Sequence, residues 1–400
     1  MKRPDRDSLV RAYLVSSFSG DLVLSIFYIY LPLFAHELGA STLEVGIVGG
    51  GDYLSYSFLP FLLGRFSDKL KSRMLLIVLA LGLISVSSLL YAIAPNAETL
   101  VIVRLFEGIG WSALWPAVES GISETANENS QKALGQYNFV WSFGAMLGPL
   151  VGALLIFSVS IRTTFLITAG ILLATLLVNL PKVRTSKNRL EPKEINLVDG
   201  RGHNPKDLRQ TLVRLISKNR VLITTNVVVA MSVSTLLTFF PPYANSIGVS
   251  ILMIGVLTFS FTASRFITYL IVLRENVRRR IISIESRNRT ALVAMGCASI
   301  SGVFLAFRTF GSASYFLGFV LLGSSFAVVT TIIQVAMIVE APPSQMGAGA
   351  GFVESAIGIG SFLGPVIAGL VSGGSFLVPF FVPLVIFLLV LPVLGLVPNS

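Results

Sequence analysis

Stretches of about twenty apolar residues recur along nearly the whole chain, and each could cross the ~30 Å hydrocarbon layer of a bilayer as a helix. Apolar residues make up 54% of the 400 residues and charged residues only 12%, with a mean hydropathy of +0.80. A soluble protein could not bury that much apolar surface, because its surface area grows too fast relative to the interior volume that could hide apolar residues. The sequence therefore predicts a polytopic membrane protein.

The apolar runs are continuous and do not alternate with polar residues, which favours helices over a membrane β-barrel. We predict an all-α membrane protein with twelve transmembrane helices. These helices cover residues 9–37, 43–66, 74–94, 98–122, 133–157, 162–181, 220–243, 250–273, 290–308, 312–340, 346–371 and 374–396. The first of them has no cleavage signal after it, so we expect it to remain in the mature protein.

The basic residues predict the orientation of these helices. Counted together with the adjoining helix ends, four lie at the start of the first helix, four between the second and third, one after the fourth, eleven between the sixth and seventh and six after the eighth. The opposite loops hold only Arg162 and Arg308. Because cytoplasmic loops carry the excess of Lys and Arg, both termini are expected in the cytoplasm of a plasma membrane protein. The net charge of +10 is then explained by the topology and by anionic lipid, and we expect no nucleic-acid partner.

Several kinds of chemistry have no sequence support. The single cysteine, Cys297, excludes an intrachain disulfide and a cysteine-based zinc site. The chain has no Walker G-x-x-x-x-G-K-S/T, no H-E-x-x-H and no G-x-S-x-G. We therefore expect no enzyme, no metal site and no cofactor.

An internal repeat divides the chain into two halves. The long polar stretch at 182–219 separates residues 1–181 from residues 220–400, with six predicted helices on each side. LPLFAHELGASTLEVGI (31–47) matches FPPYANSIGVSILMIGV (240–256), and GAMLGPLVGAL (144–154) matches GSFLGPVIAGL (360–370). Two matches with nearly the same shift indicate a duplication, so we predict two six-helix bundles joined by a cytoplasmic linker.

The predicted loop after the second helix carries Gly64-x-x-x-Asp68-Lys69 and ends in Arg73. Gly64 permits close helix approach, which puts Asp68 near the N-terminus of the eleventh helix. This segment resembles the loop signature of the major facilitator superfamily, although Lys71 and Ser72 depart from it. We expect Asp68, Lys69, Arg73 and Glu124 to form a gating latch that opens and closes with the transport cycle; the alternative is a purely topological signal.

Two further motifs carry the same resemblance. Arg104-x-x-x-Gly108-x-Gly110 with Pro116 resembles the family's fourth-helix motif. Gly144-x-x-x-Gly148-Pro149-x-x-Gly152 is similar to the helix-bend motif enriched in exporters, with Tyr137 in place of its opening glycine. The resemblance implies the twelve-helix drug/proton antiporter type, in which the bend seals the central cavity. Close packing alone is the alternative role for these glycines.

We select six charged residues within predicted spans as candidates, because a charge costs roughly 2.5 to 3.5 kcal/mol near mid-bilayer and normally faces a bundle interior. They are the candidates for proton coupling or substrate binding: Asp21, Asp52, Arg104, Glu107, Arg265 and Glu354.

Each of these residues also has a structural alternative. Arg104 and Glu107, three residues apart, are either a self-neutralising pair or a coupling site in which the arginine acts on a nearby acid such as Asp52. Asp21 is either a coupling residue or a polar contact between the first and fifth helices. For Arg265 we expect snorkelling to the surface or a pair with Glu354, with an anionic substrate as the other possibility.

These features favour a secondary active transporter that works by alternating access. We expect proton-coupled export of hydrophobic or amphipathic small molecules by a monomer in the lipid bilayer. A proton-coupled uptake symporter for an organic anion or sugar is the alternative, and a non-transporting membrane sensor is a minor one.

Overall fold

The computed structural model describes residues 3–59, 72–126, 130–187, 216–272, 274, 276–277, 286–307, 311–339 and 346–395. Helices account for most of this part, and no strand occurs in it. Its longer helices are α1 (Arg3–Glu37), α2 (Thr42–Tyr56), α3 (Arg73–Ile93), α4 (Ala97–Ala126), α5 (Ser130–Ser158), α6 (Ile161–Asn179), α7 (Arg220–Ser246), α8 (Ile251–Val272), α9 (Arg287–Ala306), α10 (Ser312–Gln334), α11 (Met346–Val371) and α12 (Val382–Gly395). Short helical turns occur at Lys182–Lys187, Val335–Val339 and Val378–Phe380.

Ten helices in the described ranges are long and apolar enough to cross a membrane, namely α1 and α3 to α11. The prediction of an all-helical membrane protein is therefore confirmed. The described parts of α2 and α12 have 15 and 14 residues, which is shorter than a typical span of about twenty. The count of twelve spans and the cytoplasmic position of the termini stay predictions.

The repeat seen in the sequence gives the same turn twice. Gly39 follows α1 with φ of 84° and Gly248 follows α7 with φ of 82°, a backbone conformation that glycine adopts without strain. In both turns the next amide donates to the carbonyl five residues earlier, at 3.0 and 2.9 Å. The hydroxyls of Ser41 and Ser250 then accept from the third amide of α2 and of α8.

Helix packing follows the same repeat. In the first half α1 packs on α5, α2 on α4, and α3 on both α4 and α6. In the second half α7 packs on α11, α8 on α10, and α9 on both α10 and α12. Between the halves, α2 lies against α11 and α5 lies against α8, with α1 also touching α7. Equivalent helices therefore have equivalent neighbours in the two halves, as expected for halves related by a pseudo-twofold axis.

The repeated sequence segments meet each other across the contact between the halves. Gly46 on α2 is packed so closely on α11 that an added Cβ would collide with the carbonyl of Pro365. Gly255 on α8 makes the equivalent contact with the carbonyl of Pro149 and with Ala153 on α5. Small residues allow such backbone-to-backbone approach of membrane helices. We call these two contacts the glycine–proline seam.

The halves also touch where α1 ends and α2 begins, which we call the α1–α2 end. The Thr42 hydroxyl donates to the carbonyl of Gly369 at 3.2 Å, and the Ser372 hydroxyl donates to Thr42 at 2.5 Å. The rings of His36 and Phe376 pack with centroids 4.5 Å apart. At this end the two halves are therefore closed against each other.

The helix-bend motif of α5 mainly serves packing inside the first half. Gly144 faces the carbonyl of Phe18, Gly148 faces Leu22 and Ser25, and Gly152 faces the ring of Tyr30, all on α1. The Tyr30 hydroxyl donates to the Pro149 carbonyl at 2.7 Å. The carbonyls of Met146 and Pro149 reach α8 of the other half. The sealing role of the motif stays a prediction.

We predict that Gly255→Ala destabilises the protein, because its Cβ would push the seam apart. Overpacking a close contact typically costs about 1–3 kcal/mol, which thermal unfolding of the purified protein in detergent would detect. Gly170→Ala is the matched control, since an added Cβ there meets nothing within 4 Å on α6. Equal stability of the two variants would contradict the seam as a close-packed contact.

Candidate functional site

Arg104 lies wholly buried on α4 and holds three groups together. Its Nε donates to the carbonyl of Val48 at 3.0 Å, and Nη1 donates to Oε2 of Glu107 at 2.8 Å. Its Nη2 lies 3.0 Å from Oδ1 of Asp52, which is also buried. The arginine therefore pairs with an acid on its own helix and with another on α2.

Both carboxylates receive further hydrogen bonds. Trp111 Nε1 donates to Oε1 of Glu107 at 2.5 Å, and the Tyr91 hydroxyl donates to Oε2 of Glu107. The Tyr28 hydroxyl donates to Oδ2 of Asp52 at 3.0 Å. We call Asp52, Arg104 and Glu107, with these three donors, the arginine cluster. Buried polar groups of this kind are stable only when they are paired.

Local sequence explains how the arginine cluster forms. Residues 104, 107, 108 and 111 lie on one face of α4, because positions three, four and seven residues apart are neighbours on a helix. Gly108 lets this face approach α2 so closely that a Cβ would collide with the backbone of Asp52. The fourth-helix motif thus combines the buried Arg104 with Gly108, a glycine that lets α2 pack closely beside it.

A second group of acids lies between the halves. Asp21 is buried and accepts from the Ser17 hydroxyl at 3.3 Å. Glu119 accepts from Tyr137 at 3.2 Å. The Tyr56 hydroxyl of the first half donates to Oε2 of Glu354 on α11 at 3.3 Å.

Electrostatic interactions link the three carboxylates of this second group. Asp21 interacts with Glu119, and Glu119 interacts with Glu354. We call Asp21, Glu119 and Glu354 the acidic group. It brings together residues of α1, α4 and α11, that is, of both halves.

Arg265 does not form the expected pair with Glu354. Its guanidinium instead lies over the rings of Trp141, Phe261 and Phe326, at 5.1, 5.7 and 6.0 Å from their centroids. Within the described part of the chain it makes no ion pair. The reason is geometric, since α8 presents Arg265 toward α5 and α10 while Glu354 contacts α2. Snorkelling of this partly exposed side chain to the membrane surface stays a prediction. The charge of Arg265 also acts on Asp21.

The predicted latch lies mostly outside the described residues, as Gly64, Asp68 and Lys69 do. The described pair, Arg73 and Glu124, forms an ion pair with Nη2 and Oε1 2.7 Å apart. It connects α3 to α4 inside the first half. The contact of Asp68 with α11 stays a prediction.

Sequence reasoning missed Glu119 and the tyrosines that hold the acids. Glu119 lies inside a predicted span, and that was the signal that could have found it. Tyr28, Tyr56 and Tyr137 each reach an acid on another helix, which no spacing along the chain reveals. Among the other aromatic residues, Trp141 faces Arg265, whereas Trp111 and Trp115 stack on each other in the first half. Phe139 packs on Phe266 across the contact between the halves.

Residues 13–356 match the sequence pattern of the Major Facilitator Superfamily. The chain belongs to this family. Its members are transporters of small molecules. Its apolar spans make it a multi-pass plasma membrane protein.

The curated relatives include drug-resistance proteins. Multidrug resistance protein 1 of Bacillus subtilis (strain 168) is 28% identical over 165 residues, 41% of this chain and 42% of that protein. Quinolone resistance protein NorA of Staphylococcus aureus (strain MRSA252) is 26% identical over 178 residues, 42% of this chain and 45% of that protein. The matched region thus spans less than half the length of these relatives.

Solved structures share the fold along the whole chain. A bacterial homologue of the human lysosomal transporter Spinster, in an inward-facing and unoccupied conformation, has a TM-score of 0.76 at 14% identity, covering 98% of this chain and 97% of that one. The nucleoside transporter NupG has a TM-score of 0.72 at 13% identity, covering 98% of both chains.

We predict that Arg104→Met strongly destabilises the protein, because it leaves two buried carboxylates without a cation. Breaking one partner of a buried pair typically costs about 3–5 kcal/mol. The double variant Arg104→Met/Asp52→Asn should recover part of this loss in thermal unfolding, since one carboxylate is neutral. Arg220→Gln, at an exposed position, is the control. No recovery in the double variant would contradict the proposed ion pair.

Proposed function

We propose that the protein exports hydrophobic or amphipathic small molecules in exchange for protons, by alternating access of two six-helix halves. The observation that carries this proposal is the arginine cluster, in which one guanidinium faces two buried carboxylates. With both acids ionised, the cluster has an excess negative charge in a low-dielectric interior. One proton on an acid removes that excess.

Asp52 is the acid we assign to the proton. Glu107 accepts hydrogen bonds from the arginine, Tyr91 and Trp111, whereas in the described part of the chain Asp52 accepts only from Tyr28 besides the ion pair. A proton on Asp52 therefore displaces fewer donors than a proton on Glu107. Asp52 also follows directly after the glycines of α2 that touch the other half: Gly49 faces Thr238 on α7, and Gly50 faces Ser361 on α11. A change of charge at Asp52 therefore acts on a helix that joins the halves.

Alternating access is supported by the repeat and by the position of the acidic group. The halves, residues 1–181 and 220–400, are joined by residues 182–219, and we place six spans in each half with both termini in the cytoplasm. Glu119 is exposed although it lies within a spanning helix and interacts with Asp21 and Glu354. Such exposure supports a water-accessible cavity between the halves, where cargo would bind.

Export is the preferred direction because two of the curated relatives are named for drug resistance and because α5 carries the exporter-like motif. The uptake symporter for an organic anion is not favoured. Arg104 is already paired with two carboxylates, and Arg265 is held against aromatic rings beside the acidic group. We further propose that the protein acts as a monomer and that Asp68 and Lys69 complete the gating latch with Arg73 and Glu124.

The test is flux of hydrophobic dyes and of organic acids in proteoliposomes, with and without an imposed pH gradient. We expect the gradient to drive dye movement in the wild type and to have no effect in Asp52→Asn, which cannot exchange the proton. Asp21→Asn tests the second candidate acid in the same assay. Glu98→Gln, an exposed change in the first turn of α4, is the control and should behave as the wild type.

The proposal fails if dye flux is independent of the gradient and both aspartate variants are normal. Gradient-driven uptake of an organic acid with no dye movement would replace it with the symporter.

A further inference from the structure

We propose that Arg265 is a tethered occupant of a cation-binding aromatic cage, and that an organic cation such as a quaternary ammonium compound displaces it during transport. This inference rests on the proposed transport function and names the chemical class of a cargo. It assigns a cage of Trp141, Phe261 and Phe326 as the binding site for the cationic part of that cargo.

The cage has the composition expected for a cation site. A cation within about 6 Å of an aromatic ring centroid is attracted by the ring face, with the strongest attraction to tryptophan. The Arg265 guanidinium meets this condition for all three rings, and it lies closest to the ring of Trp141, at 5.1 Å. Aromatic rings arranged around one cation are also the arrangement that recognises quaternary ammonium groups.

The cage is shared by the two halves. Trp141 belongs to α5, whereas Phe261 belongs to α8 and Phe326 to α10. The α5–α8 contact that brings them together also contains the seam formed by Pro149 and Gly255. When the halves move relative to each other, the cage is therefore divided and its occupant loses a ring. Occupancy of the cage is thus linked to the position of the halves.

The surroundings favour a cation over an anion. Three carboxylates, Asp21, Glu119 and Glu354, form the acidic group beside the cage, and Arg265 is the cation that interacts with Asp21. Arg265 is only partly buried, as are Trp141 and Phe326, so the cage can be reached from the space between the halves. An incoming cation would take the place of the guanidinium over the rings and would also be attracted by the acids.

After displacement from the rings, the Arg265 guanidinium has a second possible partner, the carboxylate of Asp21. Its charge already acts on Asp21, which has only the Ser17 hydroxyl as a hydrogen-bond donor in the described part of the chain. A guanidinium that leaves the rings can approach this carboxylate on its long, flexible stem. The cargo would then occupy the aromatic rings and Arg265 would pair with the carboxylate. Neither buried charge would be left without a partner.

The experiment measures equilibrium binding of radiolabelled phenyltrimethylammonium to the purified full-length protein in lipid nanodiscs, without a pH gradient. N,N-dimethylaniline, a similar but uncharged ring, is the comparison ligand. The variants are Arg265→Ala, Trp141→Ala, the double variant and Arg265→Lys. Phe157→Ala, an exposed ring on the same helix as Trp141, is the control.

We expect Arg265→Ala to bind the cation about tenfold more tightly, because the competitor for the ring faces has been removed. Trp141→Ala should cancel most of this gain in the double variant. Arg265→Lys, which keeps a tethered cation, should change binding less than Arg265→Ala. The uncharged ligand and the Phe157→Ala control should show no comparable change.

Unchanged or weaker binding in Arg265→Ala would overturn the proposal. A gain that persists in full without Trp141 would also overturn it, because loss of the positive charge alone would then explain the effect. If Arg265→Ala does not give a monodisperse protein, Arg265→Gln takes its place in the same cycle. Absence of proton-driven flux in the wild type would contradict the proposed function without affecting these binding measurements. The two failures can therefore be told apart.

Discussion

The two halves of the protein meet through backbone, at a glycine of one half and a proline carbonyl of the other. Gly46 faces Pro365, and Gly255 faces Pro149, so the contact is made twice by the same repeated residues. In lipid the hydrophobic effect does not drive apolar helices together, and close packing of small residues takes its place. Such a contact depends on shape alone. The whole contact can therefore separate when the halves tilt, without leaving a buried polar group unpaired.

The charged residues are arranged around this seam. Asp52 lies on α2, six residues after Gly46, and is held from within the first half by Arg104 and Tyr28. Asp21 lies on α1 next to Gly144 of α5, the helix that carries Pro149. The acids that we propose as proton carriers therefore lie on, or directly against, the helices that form the contact between the halves. This proximity is the physical basis of the proposed link between protonation and movement.

The sequence allowed a good part of this arrangement to be predicted. Apolar runs and the internal repeat predicted an all-helical membrane fold, and the spacing of Arg104 and Glu107 predicted a charged pair with Asp52 as a nearby acid. Partners on other helices could not be predicted in the same way. The tyrosines that hold Asp52, Glu119 and Glu354, and the rings around Arg265, depend on how each helix is rotated against its neighbours. A spacing of residues along one helix carries no information about that rotation, which is why the pair of Arg265 with Glu354 was wrong.

The central claim is that the α1–α2 end, closed in this structure, opens when the halves tilt. The most direct measurement is the distance between spin labels at Glu37→Cys and Ser375→Cys, two exposed positions at this end on opposite halves, in a Cys297→Ser background that still transports. The account predicts a short distance together with a second, longer one, whose populations change with pH and with added cargo. A single short distance under all conditions, in protein that transports at the normal rate, would contradict it.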